Sequence, residues 1–313
     1  MKRLICLALT ALMLLAVVPA SAVDYLYIAT GGTSGTYYAL GGELANLFAK
    51  NIPDVEVNAP STGASAENIR LINSGDAELA IVQNDVADYA YNGINAFEGE
   101  QIQSFSVVAS LYPEFVQLVV SPSAGINSLA DLKGKRISVG AAGSGVYFNA
   151  IDFLTVAGLT LDDIQAQYLS FAETADAIKN RQLDAGFVVA GIPNAAIQEL
   201  TSTTDTLLYS LSDEEVAALT ELRGFYAEST IPADTYPNQT ADAAAVAIRA
   251  ILICKADLSE DLIYNVTKTL YEKTGDISHA KGAEIVLDQA LLGVSTPVHP
   301  GAERYYTEVG LMG

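Results

Sequence analysis

The sequence predicts a two-lobed α/β fold in which mostly parallel sheets are flanked by helices and a central cleft separates the lobes. Short, continuously apolar segments alternate with segments whose apolar residues recur at helical spacing, as in parallel sheets covered on both faces. This alternation occurs in two series that resemble each other. Half of the 313 residues are apolar and only 17% are charged. The chain therefore has enough apolar residues for two medium-sized domains and is not of the disordered class.

The first series begins with an apolar strand over 25–29 and a glycine-rich turn over 31–35. A helix follows, because Leu40, Leu44, Leu47 and Phe48 form one apolar stripe at helical spacing. The other predicted elements of this series are a strand over 55–59, a helix over 64–73 that ends at Ser74-Gly75, and a strand over 79–82.

Two β-rich runs, 107–111 and 115–120, are parted by Tyr112-Pro113-Glu114 and lead into the second series. Its predicted elements are the strand 137–141, the helix 145–157, the strand 167–169, the helix 172–180 and the strand 187–190. The turn segment 28–38 resembles 139–148, and the later segment 73–82 resembles 179–189. Two similarly built lobes explain this better than a solenoid repeat does.

The C-terminal third is expected to be more helical. Ser259 is a predicted N-cap for a helix with an apolar stripe, and further helices are expected over 280–292 and 301–309. We expect this segment to pack back onto the first lobe, with crossings near 112–118 and 223–250. Lobe 1 is then predicted to comprise residues 23–115 and 225–313, and lobe 2 residues 116–224.

The N-terminus has the pattern of a cleaved signal peptide over residues 1–22. Lys2 and Arg3 precede an apolar run of about 15 residues, which is short for a bilayer span, and Ala20-Ser21-Ala22 is a small-residue cleavage site. An uncleaved anchor is the alternative. We expect an exported protein in a periplasmic or other extracytoplasmic location.

The chain is strongly acidic, with a formal net charge of −21 that becomes −23 when Lys2 and Arg3 leave with the signal peptide. Nucleic acid and anionic membranes are poor partners for such a surface. An anionic ligand needs local backbone dipoles to overcome this field. After cleavage Cys254 is the remaining cysteine, and its apolar flank predicts a buried, unreactive thiol.

The residue types needed for catalysis are scarce. The two histidines, His279 and His299, lie late in the chain, and there is no C-x-x-C, H-E-x-x-H, calcium loop or G-x-S-x-G motif. His299, beside Pro300, is expected in a turn or at the surface. The acids Asp85, Glu114 and Glu173 are candidate bases, although solvated or helix-end roles are favoured for each. We therefore expect no enzyme activity, no cofactor and no metal.

The two glycine-rich turns are the positive signal. The turn over 30–36 follows a strand and opens a helix, whose free N–H groups and dipole favour anions. It lacks the lysine of a phosphate-binding P-loop. The second turn, over 140–145, is not in the order of a dinucleotide fingerprint. Either turn can be purely structural, but their corresponding positions in two lobes favour a binding site. One of Tyr37 and Tyr38 is expected to contact the ligand and the other to join the core.

Further polar groups follow the strand ends, where open α/β sheets bind ligands. The loop 60–65 follows the second strand, Gln83-Asn84 follows the third, and 190–194 is the counterpart in the second series. Ser65, Asn68 and Gln83 are suited to hydrogen-bond a polar ligand. Arg70 offers a bidentate carboxylate contact, although its position within a helix favours a solvent-facing role.

Several of these segments together resemble the TAXI family of solute receptors of TRAP transporters. The segments that match are Ala29-Thr-Gly-Gly-Thr-Ser-Gly-Thr-Tyr-Tyr38, Ser61-Thr-Gly-Ala-Ser-Ala-Glu-Asn68, Ala80-Ile-Val-Gln-Asn-Asp-Val86, Leu129-Ala-Asp-Leu-Lys-Gly-Lys135, Val139-Gly-Ala-Ala-Gly-Ser-Gly145, Tyr168-Leu-Ser-Phe171, Val188-Val-Ala-Gly-Ile-Pro193 and His299-Pro-Gly-Ala-Glu-Arg-Tyr-Tyr306. They extend from about residue 24 to 306. Ser34 departs from the pattern because it replaces a glycine, which adds a hydroxyl beside the expected anion position.

The resemblance implies a type II periplasmic-binding fold that delivers a small carboxylate, such as glutamate or a related amino acid or dicarboxylate, to membrane permease subunits. Carried over by motif, the residues implied to line the cleft are Gly31, Gly32, Thr33, Ser34, Gly35, Thr36, Tyr37, Ser65, Asn68, Gln83, Ser144, Gly145 and Val146. A sensory receptor of the same fold that signals to a membrane protein is the alternative function. An enzyme such as a lyase or hydrolase is a third hypothesis, and the missing catalytic set argues against it.

Overall fold

The computed structural model describes residues 24–313, and the predicted signal peptide lies outside this range. The first lobe is built on three parallel strands, in which the first strand pairs with both the second and the third. Its elements are β1 (Asp24–Ala29), α1 (Thr36–Asn51), β2 (Val55–Asn58), α2 (Ser65–Ser74), β3 (Leu79–Gln83), α3 (Asn84–Asn92) and the start of β4 (Phe105–Val120). The stripe on α1 lies in the core, since Leu40, Leu44 and Phe48 are fully buried. These elements confirm the predicted series, while α3 had no prediction.

The second lobe repeats this plan. Its elements are β5 (Arg136–Ser138), α4 (Val146–Val156), β6 (Gln165–Gln167), α5 (Phe171–Lys179), β7 (Ala185–Ala190), α6 (Ala195–Thr203), β8 (Leu207–Leu208), α7 (Asp213–Leu222), β9 (Ala227–Ile231) and the start of β10 (Ala243–Lys255). Strand β5 pairs in parallel with both β6 and β7. The predicted α/β series is therefore confirmed here too, with strand bounds that differ by a few residues.

Two long strands, β4 and β10, join the lobes. They pair with each other in antiparallel orientation, and the full order of the sheet is β2-β1-β3-β10-β4-β7-β5-β6, with β8 beside β4 and β9 beside β10. The outer strands of each lobe are thus parallel, and the crossing strands make the sheet mixed. This is the predicted α/β architecture with a central sheet flanked by helices.

The sequence pattern predicts two runs in place of β4, since Tyr112-Pro113-Glu114 parts 107–111 from 115–120. Proline removes a ladder donor and is tolerated at bulges. In the structure the pairing with β10 skips Leu111, since Tyr112 pairs with Ala250 and Ser110 with Ile251. This bulge next to Pro113 keeps one continuous strand.

Core packing shows where each strand changes lobe. On β4, Tyr112 belongs to the first-lobe core and Val116 to the second-lobe core. On β10, Ile248 packs in the second lobe and Ala250 in the first. Tyr226 also packs in the second lobe, so the core favours a second crossing near residue 249, within the predicted range 223–250.

The C-terminal segment returns to the first lobe, as predicted. Helices α8 (Glu260–Glu272) and α9 (Pro300–Glu308) pack against α1 in one apolar cluster. Ser259 caps α8 by accepting a hydrogen bond from the Leu262 amide, as predicted. The helix expected over 280–292 was wrong, because this stretch forms two 3₁₀ turns, Ala280–Glu284 and Leu287–Gln289. No helix within residues 24–313 is long and apolar enough to cross a membrane.

Candidate functional site

A cavity of about 100 Å³ lies between the lobes, and both glycine-rich turns contribute to its wall. The first lobe supplies the starts of α1 and α2, the end of β3 and part of β4. The second lobe supplies the starts of α4 and α5 and part of β7. The residues that line the cavity are Gly31, Gly32, Gly35, Thr36, Tyr37, Thr62, Gly63, Ala64, Ser65, Gln83, Glu114, Ala141, Ser144, Gly145, Val146, Ser170, Phe171 and Val189.

The helices that begin at this cavity lack side-chain caps. Helices α1, α2, α3 and α4 have Gly35, Ala64, Gln83 and Gly145 at the N-cap position, with no side-chain cap bond from any described residue. All four N-cap residues line the cavity. The other five helices are capped by side chains. Since uncapped helix starts leave N–H groups unsatisfied, the cavity gathers backbone donors.

At two of these four helix starts, first-turn amides already donate hydrogen bonds to oxygen atoms of the protein. The amides of Ala66 and Glu67 in α2 donate to the Gly143 carbonyl oxygen of the second lobe, at 3.0 and 3.2 Å. In α3 the Val86 amide donates to Asp85 Oδ1 at 2.8 Å. Helices α1 and α4 carry no acidic residue in their first turns. The positive ends of α1 and α4, one from each lobe, are therefore left to act on the contents of the cavity.

Ten of the thirteen residues proposed from the sequence lie in the cavity wall. They are Gly31, Gly32, Gly35, Thr36, Tyr37, Ser65, Gln83, Ser144, Gly145 and Val146. Two atoms among them, Gln83 Oε1 and Ser144 Oγ, are buried without a hydrogen-bond partner in the described part of the chain. Unpaired buried polar atoms are costly, and both of these belong to residues of the cavity wall.

The remaining three proposed residues do not line the cavity. The Gly35 amide donates to the Gly32 carbonyl at 2.8 Å, and this tight turn places Thr33 and Ser34 at its outer tip. The Ser34 carbonyl instead accepts a bond from Asn194 Nδ2 across the lobes. The added hydroxyl of Ser34 is therefore not beside the cavity.

Asn68 is fully buried and used in holding strand ends together. Its Nδ2 group donates to the carbonyls of Thr30 and Ile81 at 2.7 and 2.8 Å, and its Oδ1 accepts from the Thr62 hydroxyl. Since both ends of its side-chain amide are hydrogen-bonded within the protein, Asn68 supports the conformation of the loop that contains Thr62.

Three other expectations are settled by position. Tyr37 lines the cavity, but Tyr38 is 39% exposed and does not join the core. Arg70 faces solvent, as favoured, and forms a salt bridge with Glu100. His299 is a buried helix cap for α9 and accepts a bond from the Gly301 amide, which agrees with a turn position and excludes a surface one.

Sequence reasoning missed several wall residues. Thr62, Gly63 and Ala64 belong to a loop that it had placed at a strand end, and Ser170 and Phe171 lie in one of the family-like segments. Ala141 lies within the second glycine-rich turn, over 140–145, but was not among the proposed residues. Val189 and Glu114 lie on β7 and β4, and nothing in the local pattern marks them as cavity residues.

Glu114 corrects an expectation, because it is neither solvated nor at a helix end. It is 1% exposed, and Tyr37 donates its hydroxyl hydrogen to Glu114 Oε2 at 2.6 Å. Burial raises the pKa of Glu114 to about 8, against the lowering effect of the Tyr37 bond. Glu173 keeps its favoured helix-end role, in a capping box with Ser170.

Asp85 is buried where a solvated position was one of the favoured outcomes. Asn149 Nδ2 of the second lobe donates to Asp85 Oδ2 at 3.1 Å and to the Tyr226 hydroxyl at 3.0 Å. Burial, together with the nearby Asp152 carboxylate, raises the pKa of Asp85 to about 7. This polar group ties the lobes together outside the cavity.

The charges and metal-binding groups near the cavity are few. Its described wall contains no lysine, arginine or histidine. Within residues 24–313 no group of three or more His, Cys, Asp or Glu side chains is arranged to hold a metal ion. Cys254 is buried, as predicted, and burial raises its pKa.

This architecture and central cavity are those of a periplasmic solute-binding protein fold. The chain belongs to the NMT1-like family, which it matches over residues 28–310.

Solved structures with this fold are distant in sequence. The alkanesulfonate-binding protein SsuA from Xanthomonas axonopodis pv. citri, bound to MOPS, is 17% identical with a TM-score of 0.52, covering 92% of this chain and 85% of that one. PhnD1 from Prochlorococcus marinus in complex with methylphosphonate is 14% identical with a TM-score of 0.54, covering 92% and 97%. A putative L-cystine ABC transporter protein from Listeria monocytogenes is 16% identical with a TM-score of 0.51, covering 84% and 95%.

Proposed function

We propose that this protein is an extracytoplasmic solute receptor that encloses a small carboxylate between its lobes and delivers it, chemically unaltered, to a membrane permease. One observation carries this proposal. Helices α1 and α4, from opposite lobes, direct uncapped N-termini at one cavity, and neither has an acid in its first turn. A carboxylate that accepts hydrogen bonds from both helix starts favours the state in which the lobes are closed.

The helix starts are of the right strength for this role. Each acts as roughly half a positive charge and stabilises a partly buried anion by up to about 2 kcal/mol. Hydrogen bonds to a charged group contribute about 1.5–3 kcal/mol each. A micromolar dissociation constant corresponds to about 8 kcal/mol, so a few such contacts are sufficient in order of magnitude without a cationic side chain.

The fold neighbours support an anionic ligand in a general way. Alkanesulfonates and methylphosphonate, the ligands named for two of them, are oxyanions. We propose glutamate or a related amino acid or dicarboxylate for this chain, on its resemblance to TAXI receptors and on the small cavity. The signal-peptide pattern over residues 1–22 supports export to the periplasm or its equivalent.

A ligand screen tests the binding function. The mature protein is mixed with amino acids, monocarboxylates and dicarboxylates at low salt, and thermal unfolding is followed, since a ligand bound by the folded state raises apparent stability. We expect at least one carboxylate to raise the midpoint, and native mass spectrometry to recover it unaltered. A screen in which no carboxylate binds, or in which the bound compound is converted, contradicts the proposal.

The transporter class is the finer part of this proposal. The TAXI-like segments favour a TRAP permease driven by an ion gradient, whereas the L-cystine neighbour is named for an ABC system. Uptake of the labelled ligand by the source cells should stop when ionophores collapse the ion gradients while ATP is maintained. Uptake that instead follows ATP depletion would assign the receptor to an ABC permease.

A further inference from the structure

Glu114 is a carboxyl group in the wall of the cavity that we propose for a carboxylate ligand. It lies on β4 close to the point where that strand passes between the lobes. One of its oxygens, Oε2, accepts the Tyr37 hydroxyl. The other oxygen, Oε1, receives no hydrogen bond from residues 24–313, yet it is not among the fully enclosed unpaired atoms. The residue is 1% exposed overall and lines the cavity, so this carboxyl group is buried in the cavity wall.

The cavity supplies no cation for this carboxyl group. No lysine, arginine or histidine lies in the described wall. Arg249 lowers the pKa of Glu114 through its charge, but its Nε and Nη1 donate to Ser110 and Gln289. One oxygen of this buried carboxyl group lacks a partner, and in the ionised form that oxygen needs a donor from the contents of the cavity.

Tyr37 indicates that Glu114 acts as an acceptor. Burial and the neighbouring Glu114 raise the pKa of the Tyr37 hydroxyl, so Tyr37 keeps its proton and donates it. If one carboxylate of the ligand were bound at the helix starts, a second carboxylate would place its negative charge against the ionised form of Glu114. A ligand ammonium group instead supplies both hydrogen-bond donors and a compensating charge. Gln83 is less decisive, since its amide offers an acceptor and a donor.

We propose that Glu114 binds an ammonium group of the ligand, so that the receptor selects amino acids over carboxylates of the same skeleton that lack the amine. This inference rests on the proposed function, and it assigns the carboxylate of the ligand to the helix starts and the amine to Glu114.

The proposal includes a proton released on binding. Before binding, burial and the Asp85 carboxyl of α3 raise the pKa of Glu114 to about 8, while Tyr37 of α1 and Arg249 of β10 lower it. Tyr112 of β4 is also close enough to interact with Glu114. An incoming ammonium favours the ionised form, so binding near pH 7 moves the Glu114 proton to the buffer.

Matched ligand pairs test the inference by titration calorimetry. The pairs are L-glutamate with glutarate, L-leucine with 4-methylpentanoate, and L-alanine with propionate, each measured on the wild type, on Glu114→Gln and on Glu100→Gln. Glu100 carries the same functional group at the surface, in a salt bridge with Arg70. For the amino acid that binds, we expect at least a 10-fold preference over its partner, lost in Glu114→Gln and kept in Glu100→Gln.

Proton release gives a readout that does not depend on a variant. Titrations of the wild type at pH 7 in phosphate and in Tris should differ in heat by the ionisation of close to one proton for the amino acid. Equal affinity within each pair overturns the role of Glu114, whereas the absence of proton release overturns only the proton step, and either result leaves the receptor function standing. Failure of all carboxylates to bind removes the proposed function itself.

Discussion

Gly145 sets the distance between the lobes at the cavity. A Cβ atom built at this position would collide with the side-chain amide of Gln83 from the opposite lobe. Its backbone is in the ordinary right-handed region, with φ −69°. A side chain at residue 145 is thus compatible with the local backbone but requires the Gln83 amide to leave its present position in the cavity wall.

We therefore expect Gly145→Ala to weaken ligand binding by about 10-fold or more, an energy of roughly 1.4 kcal/mol, with little change in the unfolding of the ligand-free protein. The reason is that Gln83 must move before the lobes close. Calorimetry with the ligand from the screen measures the effect. Gly224→Ala is the matched control, because a Cβ there meets open space, and an unchanged affinity in Gly145→Ala contradicts the assignment.

The buried acids Asp85 and Glu114 predict how stability depends on pH. Their pKa values are raised in the folded protein to about 7 and about 8, so both release protons on unfolding. The free energy of unfolding therefore falls as pH rises from about 4 to about 8.

Asp85→Asn should remove part of this dependence, since the neutral amide cannot ionise. We expect little effect at pH 4 and a gain on the order of 2 kcal/mol at pH 8. Urea unfolding at the two pH values measures it. A variant that loses stability at pH 8, with an unaltered slope, shows that the Asp85 carboxylate is ionised and useful in its contact with Asn149.

At the scale of elements, capping separates the helices of the site from those of the scaffold. The five helices capped by side chains carry signals in the sequence, such as Ser259 before α8 and Ser170 before α5. The four without such caps begin at the cavity, where glycine or alanine occupies three of the four N-cap positions, two in the first lobe and one in the second. Stability of these helices comes instead from packing, as on the buried face of α1.

A pair of neighbouring glycines in α1 tests this packing. A Cβ on Gly41 would lie 2.5 Å from Thr30 Cγ2, whereas one on Gly42 meets nothing within 4 Å. Gly41→Ala should destabilise the protein by about 1–3 kcal/mol through overpacking. Gly42→Ala should stabilise it by up to about 1 kcal/mol through helix propensity. Chemical denaturation compares the two, and equal effects would show that α1 is not fixed against β1.

Local pattern predicted elements well where one periodicity dominated. The strands β1 and β3 and the helix α1 were predictable because their apolar residues repeat as the burial requires. Pattern failed for 280–292, where helical spacing is realised as 3₁₀ turns against the first lobe. It also failed to predict β10, whose apolar run has no alternation because neighbouring strands and helices cover it along its length.

At the scale of the whole molecule, closure depends on two strands and a set of contacts between lobes. Strands β4 and β10, which are neighbours in the sheet, connect the two lobes. The lobes also meet through the Gly143 carbonyl, the Asn194 amide and the Asp85–Asn149 pair. The lobes are therefore in direct contact on both sides of the crossing strands in this structure.

We expect the ligand from the screen to make the molecule more compact in solution. Ligand that contacts both lobes shifts the population toward the closed state. Small-angle X-ray scattering should give a smaller radius of gyration with saturating ligand than without it. If the radius is the same in both samples, the lobes are closed without ligand and binding does not drive closure.

The sequence by itself determined the alternating α/β pattern, the doubling of the series and the glycine-rich turns, because each depends on residues close together in the chain. Only the tertiary structure decided which groups share the cavity. Glu114 enters it because β4 crosses between the lobes, and Thr33 and Ser34 leave it because a four-residue turn points them outward. The physical reason is that burial and facing depend on contacts between distant segments, which no local spacing encodes.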